Sequence, residues 1–258
     1  MNKKRGIILI SLISLLLFVI DYSFIDEGLE KFLDEKEFTI VKRVIDGDTI
    51  VVGNDTHIRL LGINTPEKGE EYYNEAKNSL EGLVNKTVQL EYSGDRTDKY
   101  GRTLAYVIFE DNVNIEQVKN GFANIYIYGF DKYSSQLKEA WNECIENNER
   151  LCKKSINKCA DCIELKSIKN QTVKLFNNCS FDCLLTNWKI KDEGRKKFTF
   201  GNFILEQKRE VSIIVGNGTN TDDVLFWRGE DYVWTSSGDT LFLRDSYGKL
   251  VLWKEINR

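Results

Sequence analysis

The chain has 258 residues, 41% of them hydrophobic, enough for one large domain or two smaller ones with a buried core. A net charge of −4 and a pI near 5.4 exclude a protein that coats nucleic acid along its whole surface, because that binding depends on Lys and Arg neutralising phosphates. Any contact with a polyanion has to be local.

In chain order, the first element is a targeting segment. MNKKRGIILISLISLLLFVIDYS opens on Lys3, Lys4 and Arg5 and runs uncharged and apolar from Gly6 to Ile20. About 15 apolar residues are long for a signal core and short of the roughly 20 that cross a bilayer. The following VIDYSFIDE lacks the small residues a signal peptidase takes. Residues 1–22 therefore read as a membrane anchor with its positive end inside and Asp21 onward outside; a cleaved signal and secretion is the alternative. Residues 23–37 are charged and read as a solvated linker.

From Phe38 the runs FTIVKRV, TIVV and HIRLLGI form a β-meander, the last two joined by the turn signal GND. Residues 70–84 place Ala76, Leu80, Leu83 and Val84 at helical spacing. TVQLEY and TLAYVIF supply a fourth and fifth strand, NIEQVKNG a short helix, and a last helix from about Ser134 puts Leu137, Ala140, Trp141, Cys144 and Ile145 on one face. Five strands interrupted by a helix are the element order of an OB-type barrel with helices, here over residues 38–152. A Cys-containing linker follows at 153–162. From 163 to 258, IELKSIK, TVKLF, LTNWKI, KFTF, VSIIVG, DVLFW, TLFLRD and KLVLW recur about every ten residues between turns, the signature of a β-sandwich.

Cys144, Cys152, Cys159, Cys162, Cys179 and Cys183 all lie in the second half. Outside the cytoplasm they would form disulfides, in a pairing that spacing does not select; the rival reading is a zinc site built on CADC and CSFDC.

Phosphodiester hydrolysis needs an aligned water, a base, and positive groups for the charge that develops on phosphate. Asp46 and Asp48 flank Gly47, so in extended chain both carboxylates point to one side and offer hard oxygens suited to calcium or magnesium. Arg59 lies in a strand, where an arginine suggests a facing anion. Glu67 follows Pro66 at a strand end, a position from which loops present catalytic groups. The chain has one histidine, His57, which reads as an exposed strand residue, so a carboxylate is expected to serve as base.

VIDGDT, IRLLGINTPE and then DRTDKYGRTLAYV closely resemble the staphylococcal nuclease family over residues 38–152. The resemblance implies calcium-dependent cleavage of DNA and RNA leaving 3′-phosphates, and pocket tyrosines that stack without reading sequence would give little sequence specificity, single strands preferred. It makes Arg59 and Arg102 the catalytic arginines and Glu67 the general base. Asp48 becomes a calcium ligand, Thr65 a ligand through its carbonyl, and Asp46 a nearby carboxylate acting through water. Lys99 and Tyr100 would sit by a terminal phosphate, with Tyr126 and Tyr128 near the base. Asn64 departs from the pattern: the family usually has an aspartate ligand there, and Asn64 is expected to stand in as a metal ligand through its side-chain carbonyl oxygen, with fewer ligand charges weakening calcium binding. VKLFNNCSFDCLLTNWKIKDEGRKKFTFGNFIL and GDTLFLRDSYGKLV resemble the lamin-tail family, an immunoglobulin-like sandwich, whose partner here is unknown. EGRKK, 193–197, reads as a solvated turn. The expectation is an anchored or secreted calcium-dependent nuclease; the alternative is a catalytically silent protein that binds nucleic acid or a surface through both domains.

Overall fold

Period-two alternation builds the first half. In a computed structural model of the chain, which describes residues 36–93, 97–127, 132–236 and 238–256, strands β1 (Lys36–Asp46), β2 (Thr49–Val52) and β3 (Thr56–Leu60) form the expected meander. The two-residue strand β4 (Ile63–Asn64) follows, then helix α1 (Tyr73–Glu81), and the strands β5 (Thr87–Glu91), β6 (Thr103–Phe109) and β7 (Asp111–Asn112). The order is β3-β2-β1-β5-β6, and β3 also pairs in parallel with β6, Ile58 opposite Thr103 and Leu60 opposite Ala105. That last pairing closes a five-stranded barrel and removes its open edges. Ile50 and Val52, Ile58 and Leu60, Val88 and Leu90, and Ala105 and Val107 are each two residues apart and buried in the same core.

Helix α2 (Val113–Lys119) starts at Asn112, whose side chain accepts from the amides of Asn114 and Ile115, a regular N-cap. After β8 (Asn124–Ile125), which pairs with β4, helix α3 (Ser134–Asn147) buries Leu137, Ala140, Trp141 and Cys144, the stripe expected for an amphipathic helix. It stops at Asn148 in the left-handed conformation (φ 57°). The anchor at residues 1–22 and Tyr128 lie outside the described residues. No helix among the described residues is long and apolar enough to cross a membrane.

The second half is a sandwich. Strands β9 (Ile163–Lys169), β10 (Thr172–Asn177), β11 (Cys183–Leu184), β12 (Lys189–Lys191), β13 (Lys197–Thr199), β14 (Ile204–Leu205), β15 (Glu210–Val215), β16 (Val224–Trp227), β17 (Asp239–Arg244) and β18 (Leu250–Ile256) follow in chain order. They form two four-stranded sheets, β16-β15-β10-β9 and β13-β12-β17-β18, with β11 paired to β14 apart from them. Val173, Leu175, Val211 and Ile213 of one sheet share a core with Ile190, Leu241, Leu243 and Ile256 of the other. All six cysteines are used: Cys144–Cys152 closes the end of α3, while Cys159–Cys183 and Cys162–Cys179 tie the segment before β9 to the start of β11 and to the loop before it. No thiolate is left for the zinc alternative.

Residues from Phe38 onward form one compact unit. The joint between barrel and sandwich is apolar, with Trp141 of α3 lying edge-on to Phe242 of β17 at 5.4 Å and to Trp253 of β18 at 6.1 Å. Phe242 and Leu250 of the sandwich belong to the same buried cluster as the barrel interior. An interface of this kind fixes two domains against each other, whereas a small polar one lets them move. Segment 153–162 is itself pinned, because Lys153 and Ser155 exchange backbone hydrogen bonds with Leu250 at 2.8 Å each. Trp141→Ala should therefore cost about 3–5 kcal/mol of unfolding free energy, measured by urea denaturation of the disulfide-intact chain; a loss below 1 kcal/mol would mean that the joint is not packed.

Candidate active site

The Asp-Gly-Asp turn joins β1 to β2 at one end of the barrel. Asp46 accepts from the Asp48 amide at 3.1 Å, which shapes the turn. A Cβ on Gly47 would come within 2.7 Å of the Ala76 Cβ and 2.9 Å of the Thr65 Cγ2, so no larger residue fits between the two aspartates. Gln117 of α2 donates to the Gly47 carbonyl at 2.8 Å and holds the turn from behind.

Across from this turn β3 delivers Arg59, only 6% exposed. The anion it faces is Asp48, at 3.2 Å from Nε. Its other nitrogens donate to the carbonyls of Leu60 and Ile63 and to the Asn64 Oδ1, so most of its five donors are committed within the protein. Asp48, 3% exposed, also accepts from the Thr65 amide at 3.0 Å, the Thr65 hydroxyl at 3.1 Å and the Thr49 hydroxyl at 3.2 Å. Burial raises the Asp48 pKa, but the Arg59 charge and the Thr65 hydrogen bonds outweigh it and hold the carboxyl below the usual range. Asp46 goes the other way, raised by burial and by the negative charge of Asp48. Burial lowers the pKa of Arg59 against the pull of Asp48, with the charges of Arg102 and Arg195 adding to the decrease.

Arg102 stands at the rim, its Nε 2.8 Å from Asp98 Oδ2 and a terminal nitrogen 3.3 Å from the Thr49 hydroxyl. Asp98 also accepts from the amides of Tyr100 and Arg102, forming the turn that carries Lys99 and Tyr100. The Tyr100 ring is exposed, with Lys99 at 5.1 Å and Arg102 at 5.6 Å from its centre. Tyr126 is half-buried; burial and the nearby charge of Glu193 raise its pKa, and Arg59 opposes them. Glu67 is half-exposed beyond Pro66, and its amide donates to Glu70 at 2.9 Å.

Asp46, Asp48, Arg59, Asn64 and Thr65 are thus brought together, with Glu67 and Arg102 at the rim. Asn64 is used differently from the expected ligand. Its oxygen accepts from Arg59, and its Nδ2 donates at 2.6 Å to the carbonyl of Glu193, in the sandwich. An aspartate there would set a carboxylate against that carbonyl, so the amide has a structural reason. His57 is exposed, as expected.

Residues 192–197 overturn one reading. The expected solvated turn between β12 and β13 lies against the barrel: Arg195 Nε is 2.7 Å from Glu67 Oε1 and Lys197 Nζ is 3.2 Å from Glu70. A short basic run after glycine has the composition of a surface turn, and no local signal marks a contact made 129 positions away.

Asp46 and Asp48 bring hard carboxylate oxygens to one turn, the donor type that suits a divalent cation such as calcium. Both oxygens of Asp48 already accept from Arg59, Thr49 or Thr65, so a cation there would share Asp48 with them. Burial and then the negative charge of Asp48 raise Asp46, and such an ion would relieve the second of these. Asn64 adds nothing to that set while its oxygen faces Arg59.

Two measurements check this geometry. Asn64→Asp should cost about 1–3 kcal/mol in chelator-containing buffer, because the Glu193 carbonyl loses its donor; urea denaturation reads it, and an unchanged midpoint would remove the role given to the amide. Asp192, at the base of the same turn, has its pKa raised to about 7 by burial and by Asp239. The folded chain then holds a proton that the unfolded chain loses between about pH 4 and 7, so stability falls as pH rises through that window. Asp192→Asn should raise Tm over the wild type more at pH 8 than at pH 5.

The family model described as Staphylococcal nuclease homologue matches residues 57–152, and the model described as Lamin Tail Domain matches residues 156–257. Thermonuclease of Staphylococcus intermedius is 40% identical over 119 residues, which cover 42% of this chain and 71% of that protein. Thermonuclease of Staphylococcus hyicus is 35% identical over 119 residues, 42% of this chain and 70% of that protein. Endonuclease YncB of Bacillus subtilis is 40% identical over 111 residues, 37% of this chain and 52% of that protein. The barrel, its end-on cluster of aspartates and arginines, and these matches agree: the chain belongs to the staphylococcal nuclease family and carries a lamin-tail domain behind its nuclease domain.

Proposed function

We propose that this nuclease is a calcium-dependent enzyme that cleaves DNA and RNA with little sequence specificity, single strands preferred, and that it works outside the cytoplasm. The observation that carries the reading is the juxtaposition of the paired aspartates with Arg59 and Arg102, beside a half-exposed Glu67. The three disulfides support an oxidising compartment, in which such pairs persist.

Glu67 is the general base. Its carboxylate sits at a strand end on the rim, within reach of solvent, where it can take the proton of a water attacking phosphorus. Arg102, tied to Asp98 through Nε and one terminal nitrogen and to the Thr49 hydroxyl through the other, adds positive charge at the rim for the phosphate oxygens. Arg59 acts mainly by its charge and by fixing Asp48, since its donors are largely spent inside the protein. Asp46, Asp48 and the Thr65 carbonyl would hold calcium, which when bound supplies positive charge to the developing phosphate oxyanion. Tyr100, exposed between two cations, offers a ring on which an unpaired base can stack, and stacking is tolerant of sequence. Tyr126 lines the same end of the barrel.

The test is breakdown of a fluorescent single-stranded oligonucleotide by the full chain. Cleavage should require calcium, stop with a chelator, and fall by about 10²–10⁴ in Glu67→Gln. Intact substrate across millimolar calcium would favour the silent binding protein instead.

A further inference from the structure

The sandwich brings a third arginine to the nuclease centre. Arg195 is half-exposed, and its Nε lies 2.7 Å from Glu67 Oε1. Its charge registers at both Asp48 and Arg59, so it stands within the field of the catalytic cluster. The two terminal nitrogens of Arg195 take no partner among the described residues. A guanidinium held by Nε alone keeps its two terminal nitrogens for another acceptor, and a phosphodiester with two non-bridging oxygens matches that fork.

The turn that carries Arg195 is held on both sides. The Glu193 carbonyl accepts from Asn64, and Lys197 pairs with Glu70. Glu193 is anchored from its own side, its amide donating to Asp239 at 3.2 Å and its carboxylate accepting from the Thr240 hydroxyl at 3.1 Å. The neighbouring cations are engaged elsewhere: Lys196 sits 3.8 Å over the Tyr232 ring and donates to the Tyr232 carbonyl, and Lys197 is on Glu70. Of the three cations in the turn, Arg195 is the one turned toward Glu67.

We propose that Arg195 is a substrate-binding residue of the nuclease site, supplied by the lamin-tail domain, which grips a phosphate of the nucleic-acid strand beside Glu67. The site is then composite: the barrel provides base and cation ligands, and the sandwich provides one of the phosphate contacts. This rests on the nuclease reading above.

The experiment uses the full disulfide-bonded chain and a single-stranded oligonucleotide, with Arg195→Ala, Arg195→Lys and, as a charge control on the other sheet, Lys174→Ala. Cleavage rates are followed against substrate and salt, and binding of the same oligonucleotide to Glu67→Gln, with and without Arg195→Ala, is followed by fluorescence anisotropy. Arg195→Ala should raise KM by roughly tenfold or more with a smaller effect on kcat. It should also flatten the dependence of log(kcat/KM) on log salt by about 0.7, the share of one phosphate contact on a single strand. Arg195→Lys should restore the salt slope but only part of the KM, because lysine keeps the charge and loses the fork. Lys174→Ala should change neither. A rate equal to or above wild type in Arg195→Ala would overturn the proposal, the latter showing an arginine that only masks the base. So would a slower variant with an unchanged salt slope, which would mean that Arg195 merely holds the domains together. If the wild type binds but does not cleave, the anisotropy arm still decides: a flattened slope without Arg195 keeps the phosphate contact and discards the nuclease reading, and an unchanged slope discards both.

Discussion

Burying the guanidinium of Arg59 constrains everything around it. A charge withdrawn from water at the end of a barrel has to be met by an opposite charge and by acceptors for its remaining hydrogens. Asp48 supplies the charge, Leu60 and Ile63 supply carbonyls from the chain segment that follows β3, and Asn64 supplies a side-chain oxygen. Satisfying Arg59 thus fixes the path of residues 60–65, and with it the place of Thr65, which returns two hydrogen bonds to Asp48. The chain reaches Glu67 only after this network has set its direction.

The same network leads out of the barrel. With its oxygen on Arg59, Asn64 turns its amino group to the sandwich and meets the Glu193 carbonyl. A polar contact of this kind gives register more than affinity; the affinity between the domains comes from the aromatic joint of Trp141, Phe242 and Trp253. Arg244 reinforces it, buried between the domains and donating to the Leu151 carbonyl at 2.5 Å and to Asn124 at 2.9 Å. Packing at one end and the Asn64 contact at the other leave the β12–β13 turn little room to leave the nuclease centre. The lamin-tail domain is in this sense part of the site's wall.

Much of this architecture was legible because its causes are local. Barrel strands alternate with period two, α3 shows its apolar stripe at helical spacing, and the sandwich strands are separated by turn residues. Asp46, Asp48, Arg59, Asn64 and Thr65 lie within one meander, so their meeting follows from a short stretch of chain. The two-residue strands β11 and β14 were too short to carry a periodicity. The helix expected over 70–84 covers only Tyr73–Glu81, since the apolar spacing of Leu83 and Val84 persists into a turn that packs on the same core. Cysteine pairing was open because spacing alone does not choose partners. Arg195 was invisible for a deeper reason: a basic residue after glycine has the same local chemistry whether it faces water or a carboxylate from another domain, and only the docking of the domains decides.

Native-state hydrogen exchange across increasing urea tests the central claim, that barrel and sandwich are one cooperative body with the β12–β13 turn held at the site. The account predicts that slow amides of β6, such as Val107, and of β17, such as Leu243, merge into one unfolding isotherm, with the Glu193 amide protected well above an open turn. Separate isotherms for the two domains, with Glu193 exchanging as freely as a solvated loop, would contradict it.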